Sequence, residues 1–335
     1  MEKIDFVILW VDGNDKKWQE EKAKYKKLIS KEDISNGKNR FRDWDLLRYW
    51  FRGIEKNAPW VNKIHFVTYG HIPKWLNTNH PKLNIVRHED FIPKEYLPTF
   101  NSNVIQYYLD RIKGLTDKFV MFDDDQFILK EVKKEDFFKG DKICDEYGEN
   151  NIYTSHKNDV YPHSLLNNMQ VINTYYSKRK VYKKHPFKYF NIKYGLINNI
   201  STLLLLRWSY FVGMYNPHIC QSYTKKHYQM FWNYCNNELK ECSHNKFRTT
   251  TDLTTFLIRY IELLEGDFIP RKHTFGKRVE LSNNNEKIYK YIKNKRYHVL
   301  CINDSNELVD FEKTKKELKE CFEEIYQEKS SFELK

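Results

Sequence analysis

The sequence predicts an α/β chain: a doubly wound, Rossmann-like sheet with a helical insertion. Three observations predict it. In the first 140 residues, short apolar runs rich in β-formers alternate with amphipathic stretches, the order expected of a parallel sheet with helical crossovers. These runs stop abruptly on glycine or carboxylate, as in "WVDG", "VTYG" and "MFDDD". Beyond about residue 140 the rhythm becomes helical and aromatic, with basic connectors.

Each element follows from a local pattern. "IDFVILWV" (4–11) is short and apolar, a buried strand, and it meets acidic Asp5 almost at once. "DGND" stops it as a turn, and a Lys/Glu-rich helix runs to about residue 30, followed by the polar stretch "SKEDISNGKNR". Residues 43–56 place Leu46, Leu47, Trp50, Phe51 and Ile54 on one side of a helix, with Asp43 or Asp45 available as its cap. "KIHFVTYG" (63–70) and "LNIVRHED" (83–90) are the next strands. Residues 103–114 form a helix closed by Gly114, and "KFVMFDDD" is a fourth strand. In the later part, "YQMFWNYCNNELKEC" and "TDLTTFLIRYIELLEG" are helices, the second capped by Thr251 or Asp252 and closed by Gly266. "KRYHVLCIND" is one more strand, and a last helix spans about 311–328. These elements divide the chain into a ligand-binding α/β part (1–140), a mostly helical part (141–296) and a C-terminal strand and helix (297–335) that complete the first.

Composition bounds the function. With 335 residues, 40% of them hydrophobic and 16% aromatic, the chain can bury a substantial core, which excludes disorder. A net charge of +12 admits three kinds of partner: nucleic acid, an anionic membrane surface or small anionic substrates. No nucleic-acid-binding module is present, so nucleic acid is not expected. The six cysteines form no CxxC pair, which argues against structural zinc and suits a reducing compartment. No run is long enough for a signal peptide or a membrane span, so the expected location is cytoplasmic. There is no GxGxxG, no P-loop and no GxSxG elbow.

In an open α/β sheet, ligands bind at the carboxyl ends of the strands. The polar strand ends therefore mark the expected site: Asp12 and Gly13 after the first strand, His71 after the second and Asp123–Asp125 after the fourth. Carboxylates at a strand end suit hard, oxygen-seeking ions such as Mg²⁺ or Mn²⁺. "CIND" repeats that design at 301–304. Strand alternation alone puts Asp123 and Asp125 on one face.

Here the sequence resembles the Stealth proteins. These are hexose-1-phosphate transferases of bacterial capsule synthesis, related to the α/β subunit of animal N-acetylglucosamine-1-phosphotransferase. "IDFVILWVDGND" is similar to their first conserved region. "LLRYWFRGIEKNAPWVNKIHFVTYGHIPKWLN", "HEDFIP" and "LPTFNSNVIQYYLDRIKGLTDKFVMFDDDQFI" resemble the second. "SLLNNMQVIN", "NPHICQSY" and "KFRTTTDLTTFLIRYIEL" resemble the third, and "CIND" with the terminal "SSFE" the fourth.

The resemblance implies a GT-A-like sheet and a phosphosugar transfer. In that reaction an acceptor hydroxyl attacks the β-phosphorus of a UDP-sugar, UDP-GlcNAc or similar, and UMP leaves. It implies catalytic roles for Asp12, His218, Arg248 and Asp252. It implies Mg²⁺ or Mn²⁺ on Asp124, Asp125 and Asp304, and substrate contacts from Asn303 and Glu333, while Gly13, where a buried strand ends in Asp-Gly, can let a nucleotide approach the backbone closely. Arg48 and Arg52, four apart on one helix face, either line the phosphate site or pair with Glu55 or Asp45; His71 is a further substrate-contact candidate. The expected acceptor is a glycan or lipid-linked glycan, with the basic "KRKVYKK" cluster free to dock peripherally on the inner membrane face. Two positions depart from the family pattern: Asp123 replaces an Asn, and His163-Ser164 replaces Asp-Ser. Two other functions compete with this reading: a GT-A-like glycosyltransferase that releases UDP, and a non-catalytic protein binding anionic glycan or lipid.

Overall fold

The computed structural model describes residues 2–25, 42–154, 159–305, 308 and 310–334. The strands are β1 (Asp5–Leu9), β2 (Ile64–Thr68), β3 (Leu83–Arg87), β4 (Lys118–Phe122), β5 (Gln126–Ile128), β6 (Phe138–Lys139), β7 (Lys142–Asp145), β8 (Gln221–Thr224), β9 (Phe268–Pro270), β10 (Gly276–Glu280) and β11 (Val299–Asn303). The helices are α1 (Lys16–Lys24), α2 (Leu47–Asn57), α3 (Ser102–Tyr107), α4 (Val160–Tyr175), α5 (Lys178–Lys184), α6 (Pro186–Tyr189), α7 (Gly195–Leu205), α8 (Lys225–Ser243), α9 (Phe256–Glu265), α10 (Glu286–Lys293) and α11 (Phe311–Ile325).

The central sheet has the order β3–β2–β1–β4–β8. Its first four strands pair in parallel, and β8 closes the edge antiparallel to β4. The sheet is therefore mixed. β1 lies in the middle and is buried from Asp5 to Ile8, as its unbroken apolar run requires. Two smaller sheets, β10–β11–β5 and β6–β7–β9, flank it. Phe6 touches Phe122, Phe137 and Trp60 across the core, while Trp50 and Phe51 of α2 pack on Phe122 and Phe66.

Several local expectations change. The stretch 150–300 is not helical throughout: it supplies β8 to the central sheet, and β9 and β10 to the smaller ones. β8 is too short and polar ("QSYT") to show as an apolar run; its pairing with β4 makes it a strand. Neither Asp43 nor Asp45 caps α2, which begins at Leu47 with Leu46 at its N-cap position and no side-chain cap bond. Asp43 instead accepts the Asp45 N–H, and Asp45, at φ 53°, pairs with Lys319. The helix expected over 103–114 ends at Tyr107 and continues as a tighter turn over Leu109–Arg111, with Gly114 left-handed beyond it. α9 starts after Thr255, so neither Thr251 nor Asp252 caps it, although Gly266 closes it in the left-handed conformation as expected. The polar stretch expected after the first helix lies outside the described residues.

The parallel core carries one buried ionisable pair. Asp5 of β1 and His65 of β2 are both fully buried, with His65 Nε2 3.1 Å from Asp5 Oδ2. The Asn84 amide meets His65 Nδ1 at 2.9 Å, which assigns the proton to Nε2. Asp5 also accepts from the Asn62 amide and from the Lys63 and Thr116 N–H groups. Burial pushes the Asp5 carboxyl up, but the hydrogen bonds from His65, Asn62 and Thr116 outweigh it and hold it below the usual carboxylate range. A group lowered in the fold contributes stability above its unfolded pKa and loses it as pH falls through the folded one. Asp5→Ala, which strands these donors, is expected to cost about 3 kcal/mol in urea denaturation at neutral pH. The gap to the parent chain should narrow below about pH 4.

Candidate active site

Chain reversal builds the site. β4 runs parallel within the central sheet and ends at Phe122; the chain turns through Asp123–Asp125 and returns as β5, antiparallel to β11. The turn is held by its own ends: the Gln126 N–H donates to the Asp123 carbonyl, and the Asp123 N–H to Gln126 Oε1. The Ile302 N–H donates to the Asp125 carbonyl, which brings Asn303 and Asp304 alongside the turn. β8 is antiparallel, so the segment before it, carrying His218, arrives at the same carboxyl edge.

The result is a pocket of about 270 Å³. Asp123, Asp124, Asp125, Asn303, Asp304, His218 and Arg248 all line it, along with Trp10 and Val11 from the end of β1. Its three consecutive carboxylates differ in environment. Asp123 receives the Gln106 and Gln126 amides at 3.5 and 3.4 Å. Asp125 receives the Cys301 thiol at 3.4 Å. Asp124 is open to solvent, yet crowding by the pocket walls, then the charges of Asp125, Asp123 and Asp43, push its carboxyl well above the usual range. One atom each from Asp125, His218 and Cys301 lies within 4.8 Å of the others. Burial and the Asp125 charge raise the Cys301 thiol well above its ordinary value. Of the expected metal ligands Asp124, Asp125 and Asp304, only Asp125 belongs to this cluster, although all three line the pocket.

His218 has φ 50°, a conformation that side chains other than glycine adopt rarely and that clusters at functional sites. Its ring rests near Phe256. Arg248 is oriented by Ser102, which accepts from Nε at 3.0 Å and also from Nη2.

Residues 2–29 match the family model described as Stealth protein CR1, conserved region 1, and residues 40–145 match Stealth protein CR2, conserved region 2. The chain is 43% identical to a capsular polysaccharide phosphotransferase WcwK of Streptococcus pneumoniae, over 100% of this chain and 99% of that protein. The chain belongs to the Stealth family. It is also 36% identical to the exopolysaccharide phosphotransferase cps2G of Lactiplantibacillus plantarum, over 98% and 96% of the two chains. Identity to the receptor polysaccharide phosphotransferase WefC of Streptococcus gordonii is 33%, over 100% of both. A solved apo-form glycosyltransferase, GlyE of S. pneumoniae, shares 10% identity at a TM-score of 0.26, over 92% of this chain and 81% of that one, a likeness too distant to assign a fold.

Not every candidate of this Stealth chain reaches the pocket. Asp12 and Gly13 follow the lining residue Val11 without lining the pocket themselves. Asp12 donates its N–H to His71 Nδ1 at 3.1 Å, and the other His71 nitrogen lies 3.5 Å from Asp15, so His71 pins the turn after β1. Asp252 is fully buried and accepts from the Asn101, Asn103 and Asn245 amides and from Thr249. Burial raises its carboxyl and these donors pull it back. It thereby fastens the loop bearing Arg248 to the start of α3, an indirect role. Arg48 stacks on Trp75, and His163 lies on α4 away from the pocket lining.

Arg52 pairs with neither Glu55 nor Asp45. Its Nε and Nη2 donate to the two oxygens of Glu333 at 2.7 and 3.0 Å, and Nη1 donates to the Tyr326 carbonyl. Both charged residues are buried and neither lines the pocket. The pair locks the C-terminal segment to α2.

Sequence reasoning missed Arg42, 3.6 Å from Asp304, as well as Asp43, Trp44 and His88, all of which line the pocket. Arg42, Asp43 and Trp44 follow an aperiodic polar stretch that carries no signal of its own, and burial keeps His88 neutral, with a pKa lowered to about 4. Arg52→Ala is expected to destabilise the fold by about 3 kcal/mol or more, because it strands the buried Glu333 carboxylate. A thermal melt should show that loss, while the KM for donor in the folded fraction stays unchanged.

Proposed function

We propose that this Stealth chain transfers sugar-1-phosphate from a UDP-sugar to a glycan hydroxyl, forming a phosphodiester and releasing UMP in surface polysaccharide synthesis. We read the parallel part of its sheet as a GT-A-like nucleotide-sugar platform. The observation that carries the proposal is the convergence of the Asp turn, Asn303–Asp304, His218 and Arg248 on one pocket at the carboxyl edge. The phosphotransferase names of full-length relatives support the same chemistry.

In the proposed step, the acceptor oxygen forms a bond to the β-phosphorus while the bond from that phosphorus to the bridging oxygen breaks. UMP carries away the electron pair, and the anomeric bond of the sugar stays intact. His218 takes the hydroxyl proton, its position set by the left-handed backbone after Pro217. Arg248, aimed by Ser102, supplies a planar charged fork to a phosphate oxygen. Asp123, clamped by two amides, holds the turn so that Asp124 and Asp125 face the pocket. Mg²⁺ or Mn²⁺ held by Asp124, Asp125 and Asp304 would neutralise diphosphate charge. All six cysteines are free thiols, in keeping with a cytoplasmic site of action.

A panel of UDP-sugars with a glycan acceptor, assayed for nucleotide release with and without Mg²⁺, tests the proposal. UMP is the expected product. His218→Ala should lower kcat by about 10²- to 10⁴-fold, and Asp125→Asn should abolish turnover. Release of UDP would overturn the reaction type, and full activity of either variant would remove that residue from the mechanism.

A further inference from the structure

α7 is amphipathic the wrong way round. Its inward side is largely polar: Asn199 donates to the Asn191 and Gly195 carbonyls, Ser201 to the Glu149 carbonyl, and Thr202 receives the Glu149 N–H. Its outward side is Leu196, Ile197, Ile200, Leu203 and Leu204, spaced i, i+1, i+4, i+7 and i+8, a single helical face. Ile197 is 83% exposed and Leu196 75%. Phe187 (85%) and Ile192 (95%) protrude from the segment leading into the helix, and Trp208 and Tyr210 from the segment after it. A soluble surface rarely exposes so continuous an apolar patch without a partner.

Charge identifies that partner. From Val160 to Asn237 the chain has no Asp or Glu and ten Lys or Arg. Arg179, Lys180, Lys183 and Lys184 of α5 are exposed, and Arg207, stacked on Trp208, ends the apolar stretch. A second copy of this face would set the exposed cations of two α5 helices against each other across a two-fold axis, which like-charge repulsion opposes. An anionic bilayer meets both requirements. It accepts the apolar face below its headgroups, seats Trp and Tyr at the interface and attracts the lysines. No helix among the described residues is long and apolar enough to cross a membrane, and α7, with 11 residues, would lie in the interfacial plane.

We infer that the outward face of α7, with its basic flank on α5, docks this chain peripherally on an anionic lipid surface. A cavity of about 510 Å³ lies near the start of α7. His273 lines that cavity and packs against Gly195 at the start of α7.

The test is co-sedimentation of the full chain with vesicles of phosphatidylcholine, with and without phosphatidylglycerol, against a lipid-free control. The chain should pellet with the anionic vesicles. Ile197→Glu with Leu203→Glu should weaken that binding by about tenfold or more at an unchanged melting temperature. Arg179→Gln with Lys183→Gln and Lys184→Gln should erase the preference for phosphatidylglycerol. The inference is overturned if the parent chain pellets with neither vesicle, if the double-Glu variant binds like the parent, or if the parent forms a dimer that the double-Glu variant dissolves.

Discussion

The turn at Asp123–Asp125 is the constraint on which the site depends. β4 belongs to the central sheet and β5 to the β10–β11–β5 sheet, so the chain must reverse where the two sheets meet. Placing three carboxylates there costs desolvation and then repulsion, which together raise the Asp124 carboxyl. The cost is bearable because Gln106 and Gln126 hold Asp123, the Cys301 thiol meets Asp125 and the Ile302 N–H ties the turn to β11. Binding anionic phosphate beside such a cluster requires compensating positive charge. Arg248 and Arg42, which line the same pocket, supply part of it.

Buried polar networks do the long-range fastening around that turn. Asp5–His65 joins neighbouring parallel strands; Asp252 draws the Arg248 loop onto α3; Arg52–Glu333 closes the C-terminal segment over α2. The helical part has its own versions. Arg259 is bound to Asp145 at 2.6 Å, and Lys178 to Glu149 at 2.9 Å, each pair buried. Removing one partner leaves an uncompensated buried charge, so such pairs hold distant segments in one register. Lys178 shows how the same sequence motif divides its work. In "KRKVYKK" it faces inward to Glu149 and helps hold the loop beneath α7, while its neighbours face solvent and carry the basic surface.

The strand ends at "WVDG", "VTYG" and "MFDDD" and the strand of "CIND" were legible in the sequence, because a buried strand must be an apolar run and must stop where polarity returns. β8 was not legible, since "QSYT" owes its conformation to β4. The roles of Arg52, Glu333 and Asp252 were hidden for a related reason. A charged side chain reads alike in sequence whether it meets substrate or another side chain, and only the partner at hand, 281 residues away for Arg52 and Glu333, separates the two.

By itself, then, the sequence determined the order of the main strands and helices through β4, the chemistry of the strand ends and the family to which the chain belongs. Those are local properties: periodicity, turn chemistry and motif spacing survive without long-range contacts. Tertiary structure alone decided that β8 runs antiparallel and so delivers His218 to the Asp turn. It also decided that Arg42 and Asp43 join the pocket, and that Leu196, Leu203 and Leu204 of α7 face outward. Each depends on which surfaces remain uncovered once distant segments have packed, and no local pattern encodes that.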